Sequence, residues 1–444
     1  MFNRKLSTLA VVAFLSLPVV AFASTSRLEG MLLPGDYTSD YTSIYSWPST
    51  ITGVGNLVYA ELGNLNYSGD MAMGAVLPNL WEGRYGVWAL HLRQTTPQMS
   101  QGDATSNPQP GAGGFDPNYN TNQSFELGWG KKSGKNSYGV TLSRSYNELT
   151  DELPGTTWTF KQQAAVNEQT GTNGDFGRNI FGFGVGLSHE MSENTTVDAS
   201  VIWQTRTYEN GHDGTNSFKF SDNGGSNYML AIRAEHKCMP NVTVVPVFKY
   251  YAFDLSNKYQ PTTGASQTTD NTAKGWQVGA AGNWTINSND LFVLGATFAQ
   301  NKLDQQQDIF GVASYANSYS YAAAAYNDTL TATETLSPQL FMALETQVNS
   351  WLTLRFGANK VAFRSVKIDG KSGFGANKQG DVLTLKDSPF GMAAGAGVKM
   401  GSLKFDAVLT GGFFNDPFGD LIQGSNSNAN TNGPFTKVSA TYSW

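Results

Sequence analysis

Apolar and polar side chains alternate strictly along several stretches of this chain. In the last stretch Val438, Ala440, Tyr442 and Trp444 share one face, and polar residues occupy the other. The same period of two runs through 181–188, 197–204, 352–359 and 403–410. Successive side chains of a β-strand point to opposite faces, so the pattern predicts strands with one apolar face. A soluble β-sandwich also alternates, but it would not normally place so many bulky residues on one face of so many strands.

No stretch beyond the N-terminal region is apolar enough for a membrane helix, which needs about 20 consecutive apolar residues. The best run, Val242 to Phe248, contains Thr243 and Pro246. A closed β-barrel is the other structure that satisfies every backbone hydrogen bond inside a bilayer. Composition agrees, because charged residues make up 14% of the chain and the mean hydropathy is −0.30. The chain has fewer charges than the ~25% of ordinary soluble proteins, and it is too polar for a helical membrane protein.

Several function classes receive no support from the remaining composition. The 29 basic and 35 acidic residues give a net charge of −6, which argues against nucleic acid as a partner. Cys238 is the only cysteine, so a disulfide framework and a cysteine-cluster metal site are not expected. Whether Asp416 and Asp420 hold Ca²⁺ is left open, since their spacing matches no complete site. We expect no catalytic residues, no metal, no cofactor and no enzyme activity.

The N-terminus is typical of a secretory signal peptide. Arg4 and Lys5 are positive, residues 9–20 are apolar, and Ala21-Phe22-Ala23 is a small-x-small cleavage site. We therefore predict a signal peptide over residues 1–23 and export of the remaining chain.

Short turns and long loops alternate between the predicted strands, which is typical of bacterial outer-membrane barrels. The sixteen predicted strands are 53–63, 71–79, 84–94, 122–131, 136–147, 179–191, 195–208, 227–238, 242–254, 274–286, 291–302, 334–348, 351–364, 389–399, 402–414 and 435–444. The predicted fold is all-β, a transmembrane up-and-down antiparallel β-barrel over residues 53–444, with short periplasmic turns and long extracellular loops. The first two strands alternate least clearly, and fourteen strands is the alternative. Residues 24–52 precede the barrel as an N-terminal segment in the periplasm or the lumen.

The signal peptide, the paired turns and loops, and the C-terminal Val438-x-Ala440-x-Tyr442-x-Trp444 resemble the Gram-negative outer-membrane β-barrel class, in particular porins. This resemblance implies a location in the cell outer membrane, contact with its lipid, and a homotrimer as one possible assembly. It also implies that a barrel-assembly machinery reads the last strand, with Val438, Ala440, Tyr442 and Trp444 as the signal.

The N-terminal segment resembles, over a short stretch, the long-chain fatty-acid transporter superfamily. In that group an Asn-Pro-Ala motif precedes the first strand, and an N-terminal hatch plugs the barrel. Here Trp47-Pro48-Ser49 stands in the corresponding place, so only the proline matches. This second resemblance implies that residues 24–52 form a hatch.

Charged residues concentrate on the face opposite to the apolar one. Charges at membrane depth are costly unless they face water or each other, so this face predicts a polar lumen. The candidate pore-lining residues are Arg93, Asp198, Arg206, Arg233, Glu235, Lys249, Glu345, Arg355, Lys404 and Asp406. The alternative is that they form ion pairs that stiffen the wall. Gly182, Gly184 and Gly186 also repeat at period two, which favours small lumen-facing residues over a dinucleotide-binding loop.

The third long loop, roughly residues 148–178, corresponds to the loop that folds inward in general porins, as the class resemblance implies. Candidate constriction residues in it are Glu148, Asp151, Glu152, Lys161 and Arg178. The alternative is that this loop only covers the outer mouth.

These features together predict a porin-like channel for passive diffusion of small hydrophilic solutes, because a sixteen-stranded barrel leaves room for an aqueous channel. One alternative is a transporter of hydrophobic compounds with residues 24–52 as a hatch. Another is a structural or docking barrel whose loops bind partners. The alternatives differ most in whether the lumen is open or plugged.

Overall fold

The computed structural model describes residues 25–38, 40–63, 71–93, 124–149, 176–212, 218–223, 225–254, 256–261, 266–305, 330–370, 382–409 and 435–444. Within these residues one antiparallel sheet closes on itself as a barrel. The predicted signal peptide and most of the long loops lie outside the described residues.

The sheet contains 21 strands, numbered in chain order. The first ten are β1 (Leu57–Leu62), β2 (Ala72–Leu77), β3 (Val87–Arg93), β4 (Ser124–Ser133), β5 (Asn136–Leu149), β6 (Phe176–Ser192), β7 (Thr195–His212), β8 (Phe218–Asp222), β9 (Ser226–Met239) and β10 (Val242–Asp254). The others are β11 (Asn257–Pro261), β12 (Gln267–Thr269), β13 (Asn271–Asn287), β14 (Asp290–Gln305), β15 (Leu330–Gln347), β16 (Leu352–Val361), β17 (Arg364–Gly370), β18 (Val382–Asp387), β19 (Phe390–Met400), β20 (Leu403–Leu409) and β21 (Phe435–Ser443).

Sixteen of the described strands form the wall, as the sequence predicts. Each pairs antiparallel with its neighbours, and β21 pairs with β1 from Leu57↔Ser443 to Leu62↔Val438, which closes the barrel. β17 and β18 continue β16 and β19 beyond breaks at Ala362–Phe363 and Ser388–Pro389. β1 and β2, the two least clear strands in the sequence, are both present and pair with each other.

The wall has an apolar outer face and a polar or small inner face. In β9, Leu230 and Ile232 are 43% and 52% exposed, whereas their neighbours Ala231 and Arg233 are 1% and 2% exposed. Alternate residues of a strand point to opposite sides, so this difference separates the outside of the barrel from the lumen. The arrangement confirms the apolar-out, polar-in alternation predicted from the sequence.

The short strands β8, β11, β12, β17 and β18 differ from the prediction, since they lie where the sequence indicates loops. β8 pairs with the end of β7 and with β11, and β11 pairs with β12. These pairings extend hairpins beyond the predicted strands. These strands are only three to seven residues long, and a period of two is hard to recognise over so few residues.

The described helices all lie in the N-terminal segment and in one turn. They are α1 (Thr25–Glu29) and the 3₁₀ helices Gly35–Tyr37, Tyr41–Tyr45, Pro48–Gly53 and Leu80–Gly83. Among the described residues, no helix has both the length and the apolar content needed to cross a membrane.

Candidate functional site in the barrel lumen

Residues 25–53, here called the lumen segment, lie inside the barrel. α1 contacts β19, β20 and β21, the 3₁₀ helix Gly35–Tyr37 contacts β10, and the 3₁₀ helix Pro48–Gly53 contacts β3 to β6. These strands lie on different sides of the wall, so the segment crosses the lumen. Its large side chains are almost completely buried; Leu33, Tyr37 and Ile44 are 0% exposed.

Apolar contacts join the lumen segment to the inner wall in two clusters. In one, Leu28, Met31, Leu33, Tyr37 and Trp47 pack against Phe341 and against smaller wall residues, which are Ala231, Val245, Val247, Ala281, Val293 and Ala343. In the other, residues of the 3₁₀ helices Tyr41–Tyr45 and Pro48–Gly53 pack against β1 to β3; they are Tyr41, Ile44 and Ile51. Burial of this apolar area favours docking of the lumen segment, by about 25 cal/mol for each Å² removed from water.

Glycines on the inner wall make room for the backbone of the lumen segment. A Cβ atom at Gly139 would overlap the carbonyl of Pro48, and one at Gly357 would overlap the carbonyl of Met31. A Cβ at Gly186 would lie 2.7 Å from the backbone nitrogen of Ser49. The sequence predicts that Gly186 faces the lumen, and the structure adds the reason for a glycine there.

One charged cluster connects α1 to the inner wall at β15 and β16. Glu345 on β15 accepts hydrogen bonds from Arg27 Nε at 2.7 Å and from Arg355 Nε at 2.5 Å. Arg355 also lies 2.8 Å from Asp406, and the side chains of both residues are at most 1% exposed. Glu345 and Asp406 are thus surrounded by the positive side chains of Arg27, Arg355 and Lys404. Arg27 is the member that comes from the lumen segment.

A second charged cluster surrounds Asp36. Its carboxylate lies 2.6 Å from Lys249 Nζ and accepts a hydrogen bond from the indole of Trp47 at 3.1 Å. Arg233 donates to the backbone carbonyl of Asp36 at 3.0 Å and forms an ion pair with Asp198 at 2.7 Å. The guanidinium of Arg233 lies 4.8 Å from the Trp47 ring centroid, which is within cation–π range.

A chain of hydrogen bonds joins the lumen segment to β1 and β3. Tyr45 and Tyr59 share a hydrogen bond of 2.9 Å, and Tyr59 contacts His91 Nδ1 at 2.7 Å. The Arg93 guanidinium stacks 3.3 Å from the Tyr45 ring centroid. Glu61 on β1 accepts from the Tyr41 hydroxyl at 2.6 Å and from the Thr25 backbone nitrogen at 3.0 Å.

Asp40 organises the middle of the lumen segment. Its side chain accepts hydrogen bonds from the Thr42 and Ser43 backbone nitrogens, and the Ser43 hydroxyl accepts from the Asp40 nitrogen, which forms a capping box. Burial raises the pKa of Asp40 to about 6, although the Thr42 hydrogen bond and the Arg27 charge favour the ionised form. Asp40 is therefore the acid in the segment whose charge opposes docking at neutral pH.

We expect docking of the lumen segment to strengthen as pH falls from 7.5 to 5. A released, hydrated Asp40 has an ordinary pKa near 3.9, so the docked form takes up a proton that the released form does not. This linkage favours docking by about 1 kcal/mol at pH 5. The measurement is the labelling rate of a buried thiol, Ser46→Cys in a Cys238→Ser background, because Ser46 is 1% exposed. Asp40→Asn keeps the cap but cannot titrate, so equal pH dependence in both proteins would contradict the assignment.

The ten candidate pore-lining residues all lie on the inner wall, but the described lumen is not empty around them. Six of them, Asp198, Arg233, Lys249, Glu345, Arg355 and Asp406, belong to the two charged clusters. Arg93 stacks on Tyr45, Glu235 lies 3.6 Å from Arg233, and Lys404 lies 3.5 Å from Asp406. Arg206 is 3% exposed. A role for these residues in lining a solute route stays a prediction.

Of the candidate constriction residues, Asp151, Glu152 and Lys161 lie outside the described part of the chain. Glu148 and Arg178 are not loop residues as predicted, because the β5–β6 pairing extends to Glu148↔Gly177 and Asn147↔Arg178. The assembly-signal candidates Val438, Ala440, Tyr442 and Trp444 alternate with the inward Lys437, Ser439 and Thr441 on β21. Lys437 pairs with Glu29 of the lumen segment at 2.8 Å.

Sequence analysis offered a hatch over residues 24–52 as one alternative, but it did not identify the side chains of this segment that contact the wall. Tyr41, Tyr45 and Trp47 have no regular spacing, and their wall partners are distant in sequence. One sequence signal does point to a filled lumen. The inward glycines leave space beside the wall, and the inward charges need opposite charges or water. This signal could indicate that something fills the lumen, but not which side chains do so.

No protein family model matches the sequence, and no curated protein matches it. Among solved structures, the chain is similar to a monoaromatic hydrocarbon channel, the TodX deltaS2 mutant, at 11% identity with a TM-score of 0.38, covering 94% of this chain and 98% of that one. It is also similar to the Ralstonia pickettii toluene transporter TbuX at 9% identity with a TM-score of 0.35, covering 96% and 98%. A Pseudomonas aeruginosa FadL homologue matches at 9% identity with a TM-score of 0.37, covering 94% and 98%. At these identities and TM-scores the similarities carry no argument about function.

Proposed function

We propose that this protein is a gated conduit in the outer membrane of a Gram-negative cell, and that it admits small, mainly apolar compounds. The lumen segment acts as the hatch. The observation that carries the proposal is the filled lumen, in which the segment packs its aromatic and apolar side chains against the inner wall. A closed barrel with an apolar outer face supports the membrane location, because only such a barrel or a helix bundle satisfies its backbone in lipid.

The filled lumen counts against the open porin for hydrophilic solutes. A water-filled channel would hydrate the inner wall, whereas Val293 and Phe341 on that wall are 0% and 2% exposed. A solute that displaces part of the segment meets those apolar and aromatic surfaces. Such surfaces favour an apolar solute, because a sugar would leave its hydroxyl groups without hydrogen-bond partners there.

The test is entry into intact Gram-negative cells that produce the protein. We expect faster entry of N-phenyl-1-naphthylamine, an apolar dye that fluoresces in phospholipid, and unchanged entry of a hydrophilic cephalosporin hydrolysed in the periplasm. Faster entry of the cephalosporin alone would instead support the porin. Unchanged entry of both would support a structural or docking barrel.

A reversible lock makes the same test specific for the hatch. The Ser200 hydroxyl on β7 donates to the Ser46 backbone carbonyl at 2.7 Å, so the two residues are in contact where the lumen segment meets the wall. Ser46→Cys with Ser200→Cys, in a Cys238→Ser background, should block dye entry when oxidised and restore it when reduced. If the disulfide forms and the rate of dye entry is the same in its oxidised and reduced states, the solute does not pass through the space that the segment occupies.

We also propose that the barrel-assembly machinery recognises the last strand. Tyr442 and Trp444 stack on the outer face with ring centroids 5.8 Å apart, and they are 49% and 57% exposed. Deleting Trp444 or introducing Tyr442→Asp should lower the outer-membrane level of the protein severalfold, as measured in membrane fractions. Ser443→Ala, between them and on the other face, is the matched control and should insert normally. Normal levels of both aromatic variants would contradict the proposal.

A further inference from the structure

An aromatic cleft opens on the outside of the barrel, away from the lumen. It lies at the short-turn end of β3 and β4, has a volume of about 440 Å³, and is lined by Trp81, Tyr85, Trp88, Trp129 and Lys131. Trp129 and Lys131 alternate with Gly128 and Gly130, whose Cβ positions meet Ile51 of the lumen segment. The cleft therefore faces whatever surrounds the barrel, and the proposed hatch does not use it.

The β2–β3 turn holds two of these rings exposed at a conformational cost. Trp81 and Glu82 have φ values of 52° and 58°, a left-handed conformation that non-glycine residues rarely adopt. Trp81 packs edge-on against Tyr85 and Trp88 at centroid distances of 6.1 and 5.9 Å. Trp81 and Tyr85 nevertheless remain 58% and 55% exposed. Backbone strain that keeps large rings in the open is a feature of binding surfaces.

The cleft also offers polar groups without partners. Lys131 has no ion pair with any described residue, whereas the adjacent Lys132 pairs with Glu190. The indole nitrogen of Trp88 is buried and has no hydrogen-bond partner among the described residues. The indole of Trp129 is already committed, because it donates to the Tyr85 carbonyl at 2.6 Å. One free ammonium and one free N–H therefore stand beside four aromatic rings.

We propose that this cleft binds a phospholipid of the periplasmic leaflet at its phosphate and upper acyl chains. The phosphate accepts from Lys131, the charge-assisted contact that the cleft provides. The acyl chains lie against Trp81 and Tyr85, since aromatic rings with one polar edge suit the boundary between headgroups and hydrocarbon. The inference rests on the membrane location proposed above, but not on what the barrel transports. The lipid site can therefore be disproved while the proposed transport stands, and the reverse also holds.

The test is native mass spectrometry of the intact barrel in detergent, titrated with dioleoylphosphatidylglycerol. Wild type should retain one lipid, and Lys131→Gln or Trp81→Ala should weaken that binding by about tenfold, as expected for one charge-assisted contact. Dioleoylglycerol, which has the same chains without the phosphate, should bind no better to wild type than to Lys131→Gln. Lys132→Gln and Trp351→Ala are the matched controls, since each removes a neighbouring charge or another exposed indole, and both should bind like wild type.

Several outcomes would overturn the inference. Unchanged lipid binding in both cleft variants, with folding verified by heat-modifiable gel mobility, would remove the cleft as a lipid site. Equal losses in the control variants would indicate general partitioning onto the aromatic belt. Displacement of the lipid by millimolar inorganic phosphate would point to a free-anion site. A dimer that disappears with Trp81→Ala would assign the cleft to contact between copies of the chain.

Discussion

Removing residues 25–53 will turn a closed barrel into a conducting pore. The segment crosses the lumen and buries two apolar clusters against the wall. Without it a sixteen-stranded barrel has room for water and ions. In planar bilayers we expect brief or no openings from the intact protein and a steady conductance from the deletion, on the order of tenfold larger or more in time average. Equal conductance from both proteins would mean that the segment does not seal the lumen.

A point substitution gives the same result without shortening the chain. Gly357→Leu places a side chain where the Met31 backbone now lies, so the lumen segment cannot dock. Ala358→Leu is the matched control, because it adds the same bulk one residue away on the outer face. We expect Gly357→Leu to conduct and Ala358→Leu to remain closed. If the deletion fails to fold, this pair still decides whether the segment closes the barrel.

Lys249→Met should release the lumen segment, even though Lys249 belongs to the wall and not to the segment. Asp36 is 0% exposed, and Lys249 is the cation that contacts its carboxylate. Removing one partner of a buried ion pair typically costs about 3–5 kcal/mol, because the other charge stays buried without compensation. We therefore expect the thiol in Ser46→Cys to be labelled more than about a hundredfold faster.

The double variant Lys249→Met with Asp36→Asn tests the cause. It removes both charges and keeps a side-chain oxygen that accepts from the Trp47 indole, so docking should recover to within about tenfold of wild type. Lys132→Gln removes a lysine from an exposed ion pair with Glu190 and should change nothing, since exposed pairs contribute ~0–1 kcal/mol. A double variant as open as Lys249→Met would mean that packing around Lys249, and not its charge, holds the segment.

The wall of this protein could be predicted from the sequence because each wall strand obeys one local rule. The alternation of Val438, Ala440 and Tyr442 needs no knowledge of the rest of the chain, and on β21 these residues alternate with buried polar residues as predicted. The same rule does not identify β8 and β11, two short strands that pair with each other outside the sixteen wall strands.

The lumen could not be predicted in the same way. Arg27 and Glu345 are 318 residues apart, and nothing in the local pattern of either residue names the other. Inward charges on the wall indicate a polar lumen whether they face water or a partner, so both alternatives stayed open at the level of the sequence. Whether the lumen is open or filled depends on how residues 25–53 fit against the wall, and this segment has no periodic pattern. In the structure Pro48 lies against Gly139 and Met31 lies against Gly357.

The seam between β1 and β21 joins the two ends of the barrel, and it is the pairing with the greatest sequence separation in the wall. α1 lies across this seam. Thr25 bonds to Glu61 on β1, and Glu29 bonds to Lys437 on β21, so one short helix staples the first strand to the last. Closing so long a loop carries a large entropic cost and is slow. The contacts of α1 with both edges therefore favour the closed ring, so a helix inside the lumen also strengthens the seam of the wall around it.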